Sequence, residues 1–413
     1  MTRFHVKTTC GFCGSAELRE YLNLGSMPLV DSYRSVGEAP AEKYPLAINY
    51  CAGCSNSQIS CIVDPKALFE NYPYRSSVSE TLRLHFAALA EYVRGLYPDQ
   101  HLRCIDIASN DGCLALEFAK HGWDIVGIEP AQNLAEIAGR RGVSTINEFW
   151  GEGAAEAAIS KLGAKADVVT ATNVFPHVED SHEFLRAVGR VLADDGILII
   201  EGSYVKEMIE RGRFDLIFHE HVYQLLVKPV VQLLAVYGME IYDLSVFHLH
   251  CGSLRVVAGR SGNKKLEVRN GVVKTFLDLE EASGLYCFDT YLGLAEKMEK
   301  RIRDFGALIE ALRARGEVVI GYGAASKANV LVNSCGLTRE HLSCIIDDTL
   351  EKQERLFPGT DIPVIGYNSA IVKSSHYIWI SAWDFTDEII RKVTEFGDFC
   401  GKYVVTIEDP EIR

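Results

Sequence analysis

The stretch Asp106-Ile-Ala-Ser-Asn-Asp-Gly112 decides the fold of this chain, together with Glu129, the acid that ends the next apolar run. Apolar residues over 102–107 predict a strand that leads into this turn of small residues. A helix is predicted over 114–120, and a second strand then ends on the acid. In an open parallel sheet, ligands bind at the carboxyl ends of the strands, where helix N-termini and small residues leave room. The pattern therefore predicts a ligand site at the end of the first strand.

The same turn also indicates the kind of ligand. An acid that ends the second strand commonly binds a ribose diol, so Glu129 predicts a nucleoside. The turn is not a G-x-G-x-x-G and contains no Arg or Lys, so it is poorly suited to a pyrophosphate. A nucleoside with an amino-acid tail fits better, which favours S-adenosylmethionine over NAD. The alternative is an ordinary strand–turn–helix unit with an acid at a strand end.

Strands and helices alternate through the middle of the chain. Short apolar strands separated by helices, from 102 to about 258, predict a doubly wound α/β sheet that is buried on both faces. Phe149 falls where the third strand would end, either packing on an adenine or serving as a core aromatic. Asn173 and His177 follow the fourth strand, so both should open onto the same cleft. The predicted cofactor-binding residues are Asp106, Ala108, Asn110, Gly112, Glu129, Phe149 and Asn173.

Composition sets limits on the class of protein. The chain has 413 residues, 48% of them apolar and 24% charged, which predicts two or three globular domains. A net charge of −14 argues against nucleic acid or an anionic membrane as partners. No apolar run reaches the roughly 20 residues that span a bilayer, and the start does not resemble a signal peptide. With twelve scattered cysteines, these features predict a cytoplasmic protein with reduced thiols, a monomer or a dimer.

Two C-x-x-C pairs near the start predict a metal site. The pairs Cys10-Gly-Phe-Cys13 and Cys51-Ala-Gly-Cys54 each let two thiolates bind one ion, and together they complete a tetrahedral shell. We therefore expect Zn²⁺ in a structural role, because four cysteines leave no open coordination position. The alternatives are a redox dithiol or chance spacing.

A dense set of titratable residues predicts acid–base chemistry. Phe218-His-Glu220-His221 places two histidines around a glutamate near the expected cleft. A zinc site here is disfavoured, because residues i and i+2 do not share one face of a helix. Tyr72 and Tyr74 lie beside Pro and Ser in a predicted loop, where they are either core aromatics or face a pocket.

The last third of the chain predicts a second α/β unit. Gly321-Tyr-Gly323-Ala-Ala-Ser326-Lys327 opens a helix after a strand, and the next strand ends on Asp347-Asp348. By itself this pattern is typical of NAD binding. After a core that is predicted to bind S-adenosylmethionine, the glycines and Lys327 instead favour the phosphates of a nucleotide sugar. A purely structural domain is the third option. A base-stacking role for Trp379, Trp383 or Phe385 is left open.

These motifs, taken in order, resemble one family. The two C-x-x-C pairs, D-I-A-S-N-D-G, N-V-F-x-H-V, the E-H of residues 220–221, H-x-G-S-L-R and G-Y-G-A-x-x-K are similar to those of S-adenosylmethionine-dependent sugar C-methyltransferases, typified by the C3 methyltransferase of tetronitrose biosynthesis. The resemblance implies a zinc-binding N-terminal domain, a class I methyltransferase core and a C-terminal Rossmann-like domain that holds the nucleotide sugar. It also implies methylation at C3 of a dTDP-linked 4-keto-deoxysugar.

The resemblance assigns roles residue by residue. His221 matches the general base, Glu220 its neighbour, and His177 a second active-site histidine. Tyr72 or Tyr74 matches a tyrosine supplied by the first domain. Phe218 departs from the family pattern, in which many members have Tyr at this position, so one hydroxyl is missing. The chemistry agrees: a neutral imidazole can deprotonate a carbon beside a ketone if a donor meets the enolate oxygen.

We expect three domains. Residues 1–75 should bind zinc, residues 76–260 should form the methyltransferase core, and residues 261–413 should form the Rossmann-like domain that holds the nucleotide sugar. The residues expected to bind substrate are Lys327, Gly323, Ser326, His250 and Arg255. Competing hypotheses are an NAD-dependent oxidoreductase, a non-catalytic zinc module, and a methyltransferase acting on another ketone, a hydroxyl or an amine.

Overall fold

A computed structural model describes residues 3–212, 216–247, 252–263, 269, 271–406 and 409–413 of the chain. In these residues the strands form four sheets, two of them seven-stranded. The two large sheets are separated in sequence, and each carries helices between its parallel strands. The predicted α/β class is therefore confirmed.

The amino-terminal unit is antiparallel. Its strands are β1 (Phe4–Val6), β2 (Leu18–Pro28), β3 (Lys43–Cys51), β4 (Ser57–Ile59) and β5 (Cys61–Val63). β1 pairs with β5, while β2, β3 and β4 form a sheet of their own. A fourth strand of that sheet, β11 (Tyr223–Gln224), comes from the middle of the chain and pairs with β4. The unit is thus joined to the core by main-chain hydrogen bonds.

Two helices lead into the core, α1 (Pro65–Phe69) and α2 (Glu80–Leu96). The Ser79 side chain caps α2 by accepting a hydrogen bond from the Leu82 N–H. The residues of α2 that are buried are those that the apolar spacing predicts, namely Leu82, Phe86, Leu89, Ala90 and Val93.

The core is a seven-stranded sheet in the order β12-β13-β10-β9-β6-β7-β8. All its neighbours are parallel except β13, which is antiparallel to β10 and to β12. Its strands are β6 (Arg103–Ile107), β7 (Asp124–Ile128), β8 (Thr145–Ile146), β9 (Ala166–Thr172), β10 (Leu192–Ser203), β12 (Met239–Phe247) and β13 (Ser253–Arg260). The helices of this region are α3 (Cys113–Ala119), α4 (Gln132–Arg140), α5 (Glu152–Leu162), α6 (Ser181–Val191), α7 (Val205–Arg211) and α8 (Val227–Val236).

Alternate residues of the central strands pack into different cores. Cys104 and Val168 face a cluster formed with α2 and α3. Ile105 and Val169 face a second cluster formed with α5 and α6. Because side chains alternate along a strand, this sheet must be covered on both faces, as its continuous apolar strands predict.

The C-terminal unit repeats the doubly wound plan. Two helices precede it, α9 (Val272–Ala282) and α10 (Phe288–Ala314), and its sheet has the order β16-β17-β15-β14-β18-β19-β20. The five inner strands are parallel and the two edge strands antiparallel. Its elements are β14 (Val319–Tyr322), α11 (Ser326–Ser334), β15 (Ile345–Ile346), β16 (Arg355–Leu356), β17 (Pro363–Ile365), α12 (Ser369–Ser374), β18 (Tyr377–Ile380), α13 (Thr386–Phe396), β19 (Lys402–Val405) and β20 (Glu411–Ile412).

The strand order of this unit reverses between β14 and β18, which is where ligands bind in such sheets. Within the described part of the chain, we find no helix whose length and apolar character would allow it to cross a membrane.

Candidate functional site

Four cysteine sulfurs converge in the amino-terminal unit. The Sγ atoms of Cys10, Cys13, Cys51 and Cys54 all lie within 4.8 Å of one another. The Cys10–Cys54 and Cys13–Cys51 sulfur pairs are each 3.6 Å apart. Tetrahedral zinc–thiolate bonds of about 2.3 Å place neighbouring sulfurs about 3.8 Å apart, so the set fits Zn²⁺. The Phe12 N–H donates to the Cys10 sulfur over 3.4 Å, as expected around a thiolate ligand.

The turn after β6 has a backbone conformation that few residues tolerate. Ala108, Asn110 and Gly112 have positive φ angles of 51°, 53° and 80°. Alanine is disfavoured in this region, so the surrounding structure must hold Ala108 there. A Cβ atom at Gly112 would come within 2.7 Å of the Val143 side chain. Strain of this kind concentrates at binding sites.

Glu129 is buried at the end of β7, and its carboxylate is held by the backbone. The Asn110 N–H donates to Oε2 over 2.7 Å, and the Ala131 N–H donates to Oε1 over 2.9 Å. Burial raises the pKa of Glu129 to about 7, although these two bonds oppose the shift. Each carboxylate oxygen has a second lone pair, so Glu129 can also accept bonds from a ribose diol.

Three further predicted cofactor residues line the same cleft. Asp106 accepts a 2.7 Å hydrogen bond from the Thr170 hydroxyl, and burial raises its pKa to about 7. Asn173 has a positive φ of 55°, which turns the chain at the end of β9. Phe149 lies at the rim with 38% of its surface exposed, so it is not a core aromatic.

The segment that carries the two predicted tyrosines is fixed onto the turn after β6. The Ser76 N–H donates to Asn110 Oδ1 over 2.9 Å, and Asn110 Nδ2 donates to the Tyr74 carbonyl over 3.1 Å. Asn133 Nδ2 donates to the Tyr72 carbonyl over 2.8 Å. Asn110 and Asn133 therefore position both tyrosines over the predicted methyl-donor site.

His221 lines the cleft, and its ring is oriented by the backbone. Its Nδ1 lies 2.8 Å from the Leu216 carbonyl oxygen, which can only accept. Nδ1 therefore carries the proton, and the lone pair of the neutral ring lies on Nε2. The His177 ring lies edge-on to it at a centroid distance of 4.7 Å, and the Phe218 ring lies at 4.2 Å. This tautomer is the one that a general base at Nε2 requires.

Glu220, which directly precedes His221, is hydrogen-bonded to a tyrosine that is distant in the sequence. The Tyr72 hydroxyl donates to Glu220 Oε2 over 3.1 Å. Burial, assisted by the Asp31 carboxylate, raises the pKa of Glu220. Burial is also the main reason why the pKa of Tyr72 is raised. Both shifts favour the protonated forms, in which the pair can direct a hydrogen bond at a developing oxyanion.

His219 does not belong to this cluster. Its ring is buried against the amino-terminal unit, where Nε2 lies 3.3 and 3.2 Å from the carbonyl oxygens of Tyr44 and Pro45. Burial lowers its pKa, so the ring is neutral and serves as an anchor.

The turn after β14 forms a site like the one at Glu129, in which backbone N–H groups hold a carboxylate. We call both of them acid-centred sites. The Ala324 N–H donates to Asp347 Oδ2 over 2.7 Å, and the Thr349 N–H donates to Oδ1 over 2.8 Å. Gly323 has a φ of 101°, and a Cβ atom there would come within 2.4 Å of the Ala382 side chain. This close approach explains why the position requires glycine.

Three lysines surround this second site, and all line the cleft. Lys327 lies in the first turn of α11, with Nζ 5.1 Å from the centre of the Trp383 ring. Lys352 donates to the Ala324 carbonyl over 2.8 Å, and Lys392 lies on α13. With the helix N-terminus at Ser326, these cations favour an anionic ligand.

A single cleft of about 1750 Å³ joins the two sites and the histidine cluster. Pockets for one small ligand are typically about 300–1000 Å³, so there is room for two ligands. The sequence-predicted residues that line it are His221, Glu220, His177, Tyr72, Tyr74, Asp106, Ala108, Asn110, Glu129, Phe149, Asn173, Gly323, Ser326 and Lys327.

One described residue that was expected to bind substrate, Arg255, does not line the cleft. Arg255 is buried on β13, where it pairs with Glu201 and lies 3.1 Å from His85 Nε2. Because β13 is antiparallel to β10, Arg255 lies opposite Glu201, and its guanidinium forms an internal ion pair. The expectation that Arg255 contacts substrate is therefore corrected. His250 lies outside the described residues.

Other cleft residues were not expected from the sequence. Asp31 comes from the amino-terminal unit, and nothing in its local sequence marks it. Phe69 lies edge-on to both Tyr72 and His177, at 5.8 Å in each case. Tyr322 is buried at the end of β14 and lines the cleft. Its place between the two glycines at a strand end was the available signal.

Three family models match successive parts of the chain. Residues 10–69 match one described as "Putative zinc binding domain", 74–241 match "Methyltransferase domain", and 248–408 match "C-methyltransferase C-terminal domain". These matches and the four converging cysteines identify the amino-terminal unit as a zinc-binding domain and the core as a methyltransferase domain.

The chain is also similar to individual proteins. It is 29% identical to the C-methyltransferase NovU of Streptomyces niveus over 98% of this chain and 96% of that protein. It is 33% identical to a ubiquinone biosynthesis O-methyltransferase of Azorhizobium caulinodans, over 30% of this chain and 47% of that one. A solved structure, the PH0226 protein of Pyrococcus horikoshii, is 14% identical with a TM-score of 0.36, covering 46% of this chain and 96% of that one.

Proposed function

We propose that this chain is a three-domain S-adenosylmethionine-dependent C-methyltransferase and that it methylates C3 of a nucleotide-linked 4-keto-deoxysugar. We further propose dTDP as the nucleotide. The O-methyltransferase relative is similar over a short region only, whereas similarity to a C-methyltransferase extends over 98% of the chain. A carbon, rather than a hydroxyl, is therefore the favoured methyl acceptor.

The observation that carries this proposal is that His221 lines the same cleft as the two sites built around Glu129 and Asp347. Methylation of a carbon requires a base at the acceptor, which methylation of an already nucleophilic atom does not. An imidazole in the same cleft as the donor-site turn is thus the arrangement that a carbon acid needs.

His221 performs the first step. Its Nε2 takes the proton from the carbon beside the ketone, and the C–H electron pair moves into the enolate. The Leu216 carbonyl, 2.8 Å from Nδ1, stabilises the imidazolium that forms. The Phe218 ring packs on the imidazole and restricts its rotation.

Tyr72 and Glu220 stabilise the enolate oxygen. Their hydrogen bond of 3.1 Å places two proton-bearing groups side by side in the cleft. A preorganised donor in a dry site stabilises a developing oxyanion more than water does. We propose that this pair supplies the hydrogen bond that a tyrosine at position 218 would otherwise give, with His177 as a further donor.

The donor site supplies the methyl group. S-adenosylmethionine carries it on a positively charged sulfur, and its transfer to the enolate carbon leaves neutral S-adenosylhomocysteine. Glu129 would bind the ribose diol, and the turn at 108–112 would leave room for the amino-acid tail. Phe149, at the rim, would pack on the adenine.

The nucleotide of the substrate would occupy the second site. Lys327 and the N-terminus of α11 at Ser326 favour phosphates, and Gly323 lets the backbone approach them. Tyr322 and Phe385 also line the cleft, and Phe385 is 54% exposed. Trp379 and Trp383 are buried, so they are poor candidates for base stacking. In this proposal 1–75 binds zinc and contributes Tyr72, 76–260 binds the donor, and 261–413 holds the nucleotide.

The test is methyl transfer to a panel of dTDP-linked keto sugars, with the product located by NMR. We expect a new carbon–carbon bond beside the ketone and no product with a sugar that lacks the ketone. Replacement of dTDP by UDP or GDP tests the choice of nucleotide. A methyl group found on oxygen, or oxidation of the sugar with NAD, would contradict the proposal.

A further inference from the structure

The loop that carries Glu220 and His221 is attached to the zinc-binding unit. β11, the strand directly after this loop, pairs with β4, so that Gln224 lies opposite Ser57. The Ile59 N–H, also on β4, donates to the Val222 carbonyl over 3.0 Å. The residue after His221 is therefore hydrogen-bonded to the sheet of the zinc-binding unit.

The Gln224 side chain extends this attachment to His221 itself. Gln224 Oε1 accepts a 3.0 Å hydrogen bond from the Ser57 hydroxyl, and Gln224 Nε2 donates to the His221 carbonyl over 3.3 Å. Ser57 and Gln224 have no exposed surface. A buried amide that lost these partners would leave polar groups unsatisfied, so the arrangement is held as a unit.

The same strand is attached to the metal site. Gln58, next to Ser57, accepts a 2.9 Å bond from the Gly11 N–H and donates to the Thr9 carbonyl over 3.1 Å. Thr9 and Gly11 are the two neighbours of the metal ligand Cys10. A continuous series of hydrogen bonds thus runs from the metal loop, along β4, to the backbone of His221.

The other side of the loop is held by the same unit. His219 is anchored by Nε2 on the carbonyls of Tyr44 and Pro45, both of which lie in β3. Main-chain pairing with the core begins at Leu225, whose N–H donates to the Ser203 carbonyl over 2.8 Å. Glu220 and His221 therefore lie between two attachments to the zinc-binding unit.

We propose that Gln224 is a positioning residue for His221, and that the zinc-bound unit acts in the reaction by fixing this loop through Ser57 and Gln224. The role in the reaction rests on the proposed function, because it requires His221 to be the base. A base must lie within hydrogen-bond reach of the proton it removes. A displacement of about 1 Å can cost about a hundredfold in rate.

The direct test is Gln224→Met, which keeps the side-chain length and removes both hydrogen bonds. We expect kcat to fall about tenfold or more, because His221 is less well placed. The KM for S-adenosylmethionine and the zinc content should not change, since neither site contacts Gln224. A kcat equal to that of the wild type would overturn the proposal.

A double-mutant cycle tests whether Ser57 and Gln224 act as one series. If they do, Ser57→Ala combined with Gln224→Met should be no slower than the slower single variant. Effects that multiply would mean that the two residues act independently, which contradicts the proposal. Tyr97→Phe is the matched control. It removes a 3.0 Å hydrogen bond from a buried tyrosine to the Asp195 carbonyl, on a different part of the core, so it should lower Tm and leave kcat unchanged.

Removal of zinc gives a readout that is independent of activity. Treating the full-length protein with a chelator should increase amide hydrogen exchange over 217–224, while S-adenosylhomocysteine still binds the core. Unchanged exchange over 217–224 in the zinc-free protein would contradict the proposal. If His221→Asn retained turnover, the proposed function would fail, whereas the exchange data would still report on the attachment.

Discussion

The two large sheets carry the same acid-centred site at their carboxyl ends. In the core, Glu129 accepts one backbone hydrogen bond from the turn after the first strand (2.7 Å) and one from two residues further along the chain (2.9 Å). In the C-terminal unit, Asp347 does the same, at 2.7 and 2.8 Å. An acid held in this way presents its remaining lone pairs to a ligand at the strand ends.

The difference between the two sites is in their cations. The core turn at 106–112 contains no Lys or Arg, whereas Lys327, Lys352 and Lys392 surround the C-terminal turn and line the cleft. The acid thus suits a ribose in both places, and the cations determine whether phosphates are bound as well. This difference supports the proposed function, in which a methyl donor without phosphates binds at the first site, a nucleotide binds at the second, and His221 lines the cleft that they share.

The largest expected effect is from His221→Asn, which removes the proposed general base and leaves the residues of both binding sites unchanged. Methyl transfer should fall by at least about a hundredfold, the low end for a general base. The affinities for S-adenosylhomocysteine and for the nucleotide sugar should stay the same, as measured by calorimetry. Turnover near that of the wild type would remove His221 from its role.

Much of this comparison could be predicted from the sequence. Hydrophobic periodicity and small-residue turns located both parallel sheets, the turn at 106–112 and Glu129, because these signals are local. The C-x-x-C spacing located the four cysteines for the same reason. Lys327 and Gly323 were recognisable from a motif after a strand.

Contacts between distant segments could not be predicted. Tyr72 reaches Glu220 over 148 residues of sequence, and nothing near Asp31 shows that it enters the same cleft. Arg255 was misassigned because the ion pair with Glu201 depends on strand register. His219 and His221 look equivalent in sequence, and only the tertiary structure shows that one anchors the loop while the other lines the cleft.

Glu129→Gln should weaken binding at the methyl-donor site and leave binding at the nucleotide site unchanged. Loss of hydrogen bonds to a charged acceptor costs about 1.5–3 kcal/mol, so S-adenosylhomocysteine should bind about ten- to a hundredfold more weakly. The KM for the nucleotide sugar should not change. Equal losses at both ends would mean that the two sites are not separate.

Lys327→Ala should weaken binding of the nucleotide sugar and leave binding at the methyl-donor site unchanged. We expect the KM for the nucleotide sugar to rise about tenfold, since a charge-assisted bond to phosphate is lost, and its salt dependence to decrease. Lys373→Ala is the matched control, because Lys373 is exposed on α12 and pairs with Asp398. The proposal for this site would be wrong if both variants behaved alike.

The smallest expected effect is a pH dependence of donor binding. Burial raises the pKa of Glu129 to about 7, so the carboxyl is protonated below that pH and ionised above it. The ionised form is the better acceptor for a ribose diol, so affinity for S-adenosylhomocysteine should rise a few-fold between about pH 6 and pH 8. Glu129→Gln should lose most of this dependence. An affinity that falls between about pH 6 and pH 8 would contradict this prediction.

The most direct test of the account is hydrogen exchange at the substrate carbon. The wild-type protein is incubated in D₂O with a dTDP-linked 4-keto sugar and S-adenosylhomocysteine, so that no methyl group is available, and NMR follows deuterium at C3. We predict that the wild type incorporates deuterium at C3 and that His221→Asn does so at least about a hundredfold more slowly. Equal incorporation by both proteins would contradict the account.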